Sequence, residues 1–309
     1  PDRAVTIVRA RIEVPSVEWA YAGDGIGLIQ ILHFSQTTYE TVEDALEELD
    51  SKAIEDRRGK LSGLVLDLRG NPGGYLQQAI EVADKFISSG TLVTTVGLGG
   101  STPDVTRATR FRTEDELPIV VLVDASSASA SEIVAGALQN QDRALVMGSR
   151  TFGKGSVQNL YDRDFHDGAL KMTIAKYLTP GDVSIQCQGI QPDIELRPAV
   201  VPSDGDAQLY WQDFELREED LDHSFAWGSE EAEGAASILR SVYSCPECFD
   251  AVGDASAEEG VEEQLSEPSI QAAKALLLRR PSDKRSVMLE SAADPLGKHF
   301  AEREKTLVA

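Results

Sequence analysis

Short apolar segments alternate with longer amphipathic ones through the first two hundred residues, and this alternation constrains the fold more than any other feature. Leu64–Leu68 and Pro118–Val123 are apolar at nearly every position, which is typical of strands buried on both faces of a parallel sheet. Thr41–Glu55 instead repeats apolar residues at three- and four-residue spacing, as an amphipathic helix does. The same signals predict further strands at Ile26–Phe34, Thr91–Val96, Ala144–Met147 and Leu170–Tyr177, and further helices at Tyr75–Ile87 and Ser131–Gln141. We therefore expect a layered α/β core with largely parallel strands.

The charge of the chain is strongly negative and unevenly distributed. Among the 309 residues, 52 Asp and Glu oppose 29 Lys and Arg, and the net charge of −23 argues against a nucleic-acid partner because it repels phosphate backbones. Residues 203–309 alone hold 24 of the acidic and 10 of the basic residues, so we expect a boundary near residue 200 and an acidic C-terminal extension after it. Within the extension, Ala251–Glu267 has the composition of a loop or linker, and Ser269–Arg280 has the pattern of a helix.

The cysteines and histidines lack the spacing of a metal site. Cys245 and Cys248 form one Cys-Pro-Glu-Cys pair, whereas a zinc ribbon needs two such pairs. A local disulfide, half of a metal site and two free thiols all remain open for this pair, while Cys187 and the four histidines are scattered. No window approaches the ~20 apolar residues that a membrane-spanning helix requires. The sequence therefore argues against a zinc hydrolase and against a membrane-spanning segment.

A glycine-rich turn separates the strand Leu64–Leu68 from the helix that follows it. This turn has the sequence Arg-Gly-Asn-Pro-Gly-Gly over Arg69–Gly74 and is called the glycine turn below. Three glycines in five residues permit positive φ angles, so that backbone N–H groups can point at a developing anion. An ordinary strand-to-helix turn would contain the same residue types, and the glycine turn taken alone favours that simpler interpretation.

A second turn, Asp124–Glu132, follows the apolar strand Pro118–Val123 and is called the serine turn below. A serine at this corner would hold its hydroxyl beside a helix N-terminus, where the helix dipole favours an oxyanion. However, Ser129-Ala130-Ser131-Glu132 also matches the Ser-x-x-Glu capping box, in which Ser129 would simply cap the helix. The serine turn taken alone favours the cap.

A serine nucleophile needs a base, and neither turn contains a histidine. A lysine can serve instead when burial keeps its amine neutral, because desolvation can lower the pKa of an ammonium group by up to ~3–5 units. Thr151–Gln158 offers Lys154 between two glycines, with Phe152 beside it to exclude water. Gln158 would lie one turn away if this stretch were helical and could hold the amine. An isolated Gly-Lys-Gly is more commonly a surface loop, and the pattern of a phosphate-binding P-loop is not met.

Taken together, these motifs form an ordered series. They occur as Leu66–Gly74, Ser127–Gln139, Thr151–Gln158, Tyr177–Pro180 and Gly189–Asp193. The series closely resembles the carboxyl-terminal processing peptidases, also called tail-specific proteases, which are Ser/Lys endopeptidases. The resemblance extends over about residues 5–198 and outweighs the simpler interpretation of each motif taken alone.

The resemblance assigns a role to individual residues. It makes Ser129 the nucleophile and Lys154, 25 positions later, the general base. Gln158 stands where the family has a residue that orients the lysine. The neutral lysine would remove the serine proton, and an acyl-enzyme would form and then be hydrolysed.

The resemblance also implies an oxyanion hole made of backbone N–H groups. One would come from Ala130 and the other from a glycine of the glycine turn, either Gly73 or Gly74, with Gly74 favoured. Asp67 and Arg69 are expected to stabilise the glycine turn rather than to take part in catalysis.

Further expectations concern the whole molecule. Family members usually carry a PDZ domain that captures the substrate's carboxyl terminus by strand addition, and Val5–Val14 resembles only the closing end of such a domain. We therefore expect residues 1–18 to be that end and a linker, and residues 19–200 to be a crotonase-like or Clp-protease-like layered peptidase core. The acidic, partly helical extension follows at residues 201–309.

The implied substrates are proteins or peptides with free, apolar, unstructured C-termini, cleaved without a metal or organic cofactor. The implied location is the bacterial cell envelope or periplasm, and a homo-oligomer remains open. Two other functions compete: an inactive peptide-binding or scaffold module that retains the groove, and an acyl-CoA enzyme on a similar fold. The second has no need of a serine–lysine pair.

Overall fold

The computed structural model describes residues 14–97, 102–161, 169–199, 216–221, 239–244, 260–279 and 282–308. Its elements are β1 Val17–Tyr21, β2 Ile26–Ile31, α1 Thr38–Glu55, β3 Gly63–Asp67, α2 Leu76–Phe86, β4 Thr91–Gly97, β5 Asp104–Arg107, β6 Ile119–Val123, α3 Ala130–Asn140, β7 Leu145–Gly148, β8 Ser156–Tyr161, β9 Leu170–Thr179, β10 Val183–Ser184, β11 Ile194–Ala199, β12 Leu239–Ser244, α4 Val261–Gln264, α5 Pro268–Leu277, α6 Arg285–Ser291 and α7 Ala293–Val308. Every strand and helix predicted before residue 180 is present, with its ends shifted by at most a few residues.

The larger sheet has seven strands in the order β1-β2-β3-β6-β7-β11-β12. Among these strands β1 and β2 pair antiparallel, and every other neighbouring pair is parallel. The chain therefore has the mixed α/β fold that its sequence predicts. Because β3, β6 and β7 are parallel neighbours, their carboxyl ends lie side by side, and the turns that follow them meet at one edge of the sheet.

The smaller sheet contradicts the expectation of largely parallel strands. It has the order β10-β9-β4-β5, with β8 also paired to β9, and all of these pairs are antiparallel. Along the second half of β9, buried Ala175, Tyr177 and Thr179 alternate with less buried residues. This alternation is typical of an antiparallel sheet with one face on the core, and it differs from the continuous apolar runs of β3 and β6.

Two apolar clusters cover the two faces of the larger sheet. Leu64 and Leu66 point into the cluster formed with α1–α3, whereas Val65 points into the cluster on the other face. That second cluster is closed by residues of α5–α7, among them Ile270 and Leu277, which are almost completely buried. The region after residue 200 thus supplies apolar helices to the core, although its overall charge is acidic.

Other predictions about the termini have mixed outcomes. The helix predicted at Ser269–Arg280 is confirmed as α5, but the loop predicted at Ala251–Glu267 is wrong where Val261–Gln264 forms α4. Residues 251–259, Cys245 and Cys248 lie outside the described residues, as does Val5–Val14 apart from its last residue.

Candidate active site

The glycine turn that follows β3 is fixed by hydrogen bonds of its own side chains. Asn71 is completely buried; its amide donates to the Ile31 carbonyl at 2.7 Å, and its side-chain oxygen accepts the N–H of Gly73 at 2.9 Å. The Asp67 carboxylate accepts three hydrogen bonds from Arg69 at 2.6–3.0 Å. Burial lowers the pKa of the Arg69 guanidinium, but Asp67 and Glu267 together outweigh burial and raise that pKa above its usual value. Asp67 and Arg69 therefore stabilise the turn electrostatically.

The serine turn, at the end of β6, is joined to the glycine turn by hydrogen bonds. The Ser127 hydroxyl donates to the Leu68 carbonyl at 2.8 Å, and the Ser131 hydroxyl donates to the Asn71 carbonyl at 3.0 Å. The backbone N–H of Ala128 donates to the same Asn71 carbonyl at 3.0 Å. Both serines are completely buried, so they hold the two turns together.

Gly73 is the point of closest approach between these turns. Its φ is +99°, and a Cβ placed on it would lie 2.8 Å from the Ala128 carbonyl oxygen, 2.9 Å from Ser129 Cβ and 3.0 Å from the Ala130 nitrogen. Any side chain here would collide with backbone atoms, so this position requires glycine. The glycine turn therefore lies directly against Ser129 and the first residue of α3.

Ser129 is the N-cap of α3 and has an unusual backbone conformation. Its φ and ψ are +57° and −110°, an uncommon combination for a residue with a side chain. The members of the predicted capping box are in place, and the Ser129 N–H donates to a Glu132 carboxylate oxygen at 2.8 Å. Backbone strain of this kind is concentrated at functional sites, because the surrounding structure must stabilise it.

Among the described residues, two backbone N–H groups beside Ser129 have no acceptor. The N–H of Gly73 is already donated to Asn71. In the part of the chain that the structure describes, the N–H groups of Gly74 and Ala130 donate no hydrogen bond. Orphan donors next to a helix N-terminus can bind a negatively charged oxygen.

Glu132 joins the serine turn to the loop after β7, Arg150–Gly155, which is called the lysine loop below. The side chain is completely buried. One carboxylate oxygen accepts the N–H of Ser129 and the N–H of Lys154, both at 2.8 Å. The other accepts the Thr151 hydroxyl at 2.6 Å and the Gly153 N–H at 2.7 Å. A single carboxylate therefore fixes the backbone of both predicted catalytic residues.

The sequence indicated only a capping role for Glu132. Burial raises the pKa of its carboxyl group, and the hydrogen bonds from Thr151 and from the three backbone N–H groups act in the opposite direction. A buried acidic residue among the apolar residues of α3 was the one available signal. Its partners in the lysine loop are 19 to 22 residues away, so no local pattern could identify them.

The lysine loop brings Lys154 to the same edge of the sheet. Lys154 is half-buried, and within the described residues its amine forms neither an ion pair nor a hydrogen bond, including one with Ser129. Gln158 lies on β8, so the helical spacing considered from the sequence is wrong. The Gln158 side chain is exposed, and its amide is 3.5 Å from the Thr173 hydroxyl.

Three predicted features thus converge at one sheet edge: the serine at a helix N-terminus, two N–H groups without acceptors, and the lysine loop. In the ranges that the structure describes, no group of His, Cys, Asp and Glu side chains has a metal-binding arrangement. Each helix in those ranges is too short or too polar to cross a bilayer.

This α/β core, with its glycine turn packed against a serine at a helix N-terminus, has the architecture of a peptidase. The chain belongs to Peptidase family S41, whose profile matches residues 25–196, more than half of the sequence. Its relatives in that family are carboxy-terminal processing proteases.

Two of these relatives come from bacteria. The carboxy-terminal-processing protease of Bartonella bacilliformis is 46% identical over 192 residues, which cover 62% of this chain and 43% of that protein. The carboxyl-terminal-processing protease of Synechocystis sp. is 41% identical over 172 residues, covering 55% of this chain and 38% of that protein. The chain therefore spans less than half the length of these relatives.

A solved structure is also similar. The photosystem II D1 C-terminal processing protease has 32% sequence identity and a TM-score of 0.52, covering 63% of this chain and 51% of that chain. The similarity supports the fold of the core and, like the two bacterial relatives, covers only part of the other protein.

Proposed function

We propose that this chain carries the catalytic core of a serine endopeptidase, with Ser129 as the nucleophile and Lys154 as the general base. The observation that carries the proposal is the contact of Gly73 with Ser129 and Ala130, beside two N–H groups that have no acceptor. Membership of Peptidase family S41 supports the same chemistry.

The reaction begins when the amine of Lys154 accepts the hydroxyl proton of Ser129. The serine oxygen attacks the scissile carbonyl, and the N–H groups of Gly74 and Ala130 stabilise the resulting oxyanion. Lys154 then donates the proton to the leaving amine, which leaves an acyl group on Ser129. Lys154 next accepts a proton from water, the hydroxide attacks the ester carbonyl, and Lys154 returns the proton to the departing oxygen of Ser129 as the acid is released. Gln158 is proposed to orient the amine of Lys154.

Gly74 is the better candidate for the second donor because Asn71 already accepts the N–H of Gly73. Ser129 and Lys154 are not hydrogen-bonded here, so proton transfer requires their side chains to approach. Catalytic hydrogen bonds commonly tighten only when substrate binds.

For the whole protein, we propose that the substrates have apolar, unstructured C-terminal tails and that it acts in the cell envelope. The names of the bacterial relatives support processing at the carboxyl terminus. We also propose a crotonase-like or Clp-protease-like core at residues 19–200, preceded by the end of a PDZ domain and followed by the acidic extension.

One observation favours a second candidate, an inactive peptide-binding module: the side chains of Ser129 and Lys154 do not contact each other through a hydrogen bond. Against it stands membership of Peptidase family S41, whose named bacterial relatives are processing proteases, since free N–H groups would suit the binding of a peptide carboxylate as well. Family membership argues against the acyl-CoA enzyme.

The test is hydrolysis of a peptide with a free, apolar carboxyl terminus, compared with the same peptide amidated at that end. We expect Ser129→Ala and Lys154→Ala each to lower kcat/KM on the order of 10⁴-fold or more, because the two residues act as one unit. Ser126→Ala, at an exposed position in the serine turn, and Lys60→Ala, also exposed, are matched controls that should retain activity. Binding of the peptide without cleavage by the unmodified chain would instead support the inactive module.

A further inference from the structure

A short segment from beyond the family match lies against the lysine loop. Residues 216–221 contain the 3₁₀ turn Glu218–Asp220 and follow the matched part of the chain, which ends at residue 196. We call these six residues the 216–221 segment. The mechanism above gives them no role, and their sequence suggested none.

The 216–221 segment binds the carbonyl side of the lysine loop. The Arg217 guanidinium donates to the carbonyls of Arg150 at 2.8 Å and Thr151 at 3.3 Å. The backbone N–H of Glu218 donates to the carbonyl of Phe152 at 3.1 Å. Three consecutive carbonyls before Gly153 are therefore satisfied from outside the core.

The same segment also reaches the far side of Lys154 through Gln186. The amide nitrogen of Gln186 donates to the Glu218 carboxylate at 3.1 Å, and its amide oxygen accepts the N–H of Gly155 at 2.9 Å. The residues on both sides of Lys154 are thus linked to the 216–221 segment.

Glu132 binds N–H groups of the lysine loop, whereas the 216–221 segment binds its carbonyl groups. Glu132 accepts the N–H groups of Gly153 and Lys154 from within the core, and the segment donates to the carbonyls that precede them. Because glycines flank Lys154, the backbone on either side of it is conformationally flexible unless other residues hold it. Unpaired carbonyls in this partly buried loop would be costly, so losing the segment should free the loop to move.

We propose that Arg217, together with Glu218, is a positioning residue that acts on Lys154 through the lysine loop. The region after the family match then completes the catalytic site, although it contributes no group to the reaction. This inference rests on the proposed function, in which Lys154 is the base.

The first measurement is hydrogen–deuterium exchange of peptides covering residues 150–155, which needs no activity. We expect Arg217→Ala to speed exchange of the Gly153, Lys154 and Gly155 amides by about tenfold or more, because local opening becomes easier. Arg240→Ala is the matched control: Arg240 also follows the family match and pairs with Glu195 of β11, at 2.9 Å. It should leave the exchange of residues 150–155 unchanged.

The second measurement separates kcat from KM for the peptide with a free carboxyl terminus. We expect Arg217→Ala to lower kcat about 10- to 100-fold with KM unchanged, since a misplaced base affects the chemical step and not substrate binding. Arg217→Lys retains a cationic donor for the carbonyls and should recover a large part of kcat.

The outcomes are distinguishable. If the unmodified chain does not cleave the peptide, the proposed function fails, and the exchange experiment still tests the contact with the lysine loop. If the chain cleaves and Arg217→Ala keeps its kcat within twofold, or loses kcat without faster exchange at residues 150–155, the positioning role is refuted. If Arg217→Ala does not fold, Arg217→Lys is measured in its place: kcat and exchange that change together, or that both stay near wild type, support the role, whereas a low kcat with wild-type exchange, or faster exchange with a wild-type kcat, refutes it.

Discussion

The glycine turn after β3 and the lysine loop after β7 are held by different parts of the chain. Asn71 anchors the glycine turn to the residue that ends β2, the serine turn supplies further bonds, and Arg69 at its first position also binds Glu267 and Ser269 beyond the family match. The lysine loop depends on one carboxylate inside the core and on the 216–221 segment outside it. The N–H donors therefore belong to a frame held mainly by core residues, whereas the proposed base lies on a loop whose preceding carbonyls are held from outside the core.

The largest effect should come from Glu132→Gln, because the Glu132 carboxylate bonds both Ser129 of the serine turn and Lys154 of the lysine loop. An amide offers one acceptor oxygen in place of two, so its NH₂ group must face either Ser129 and Lys154 or Thr151 and Gly153, all of which donate. We expect kcat/KM to fall by about 10³-fold, through loss of both orientation and oxyanion geometry.

Glu116→Gln makes the same change of charge at an exposed position and is the control for Glu132→Gln. Thermal unfolding of both variants shows whether the fold is intact. Full activity in folded Glu132→Gln would mean that the carboxylate is not needed to hold Ser129 and Lys154 in place.

Asn71→Ala should disturb the glycine turn and leave the lysine loop in place. It leaves the Ile31 carbonyl and the Gly73 N–H without partners, which we expect to cost about 2–4 kcal/mol of unfolding free energy. Movement of the glycine turn should also lower kcat by about 10²-fold, as loss of an oxyanion donor does.

Denaturant unfolding and steady-state kinetics measure the two effects of Asn71→Ala. Asn140→Ala is the control, because its amide bonds Thr179 and Pro180 at the far end of α3. A normal kcat in a destabilised Asn71→Ala would show that the turn does not position the donor.

A smaller effect should appear in the pH dependence of stability. Burial raises the pKa of Glu132 in the folded chain, so the folded state binds this proton more tightly than the unfolded state does. The stabilising contribution is present below the unfolded pKa, about 4.3, and is lost as the pH rises through the folded value. The unfolding free energy of the wild type minus that of Glu132→Gln should therefore decrease as the pH rises above about 4. An increase would mean that the four hydrogen bonds outweigh burial.

The smallest effect should come from Glu219→Gln, which removes the ion pair with Arg150. These side chains are 45% and 32% exposed, so solvent and salt screen the pair. We expect a stability loss of about 0–1 kcal/mol and a kcat within about twofold of the wild type. A loss as large as that of Arg217→Ala would show that the charge of the 216–221 segment, and not its bonds to the carbonyls, holds the lysine loop.

The sequence predicts the strands and turns of the site better than the hydrogen bonds that hold the turns in place. β3 and β6 are short apolar runs, so their positions and the turns after them are evident from local pattern. The antiparallel sheet was missed because the alternation along β9 indicates one buried face but does not specify which strands are its neighbours. The bonds from Glu132 to the lysine loop and from Arg217 to Arg150 join residues about 20 and 67 positions apart, beyond the reach of any periodicity.

The helices α5–α7 pack on one face of the larger sheet, and this has a practical consequence for preparing the protein. A polypeptide trimmed to residues 25–196 would keep every residue assigned to the chemistry, yet Val65, Leu122 and Met147 would lose their covering layer. An uncovered apolar sheet face of this kind is prone to aggregate. The boundaries of the homologous region are therefore poor boundaries for recombinant expression.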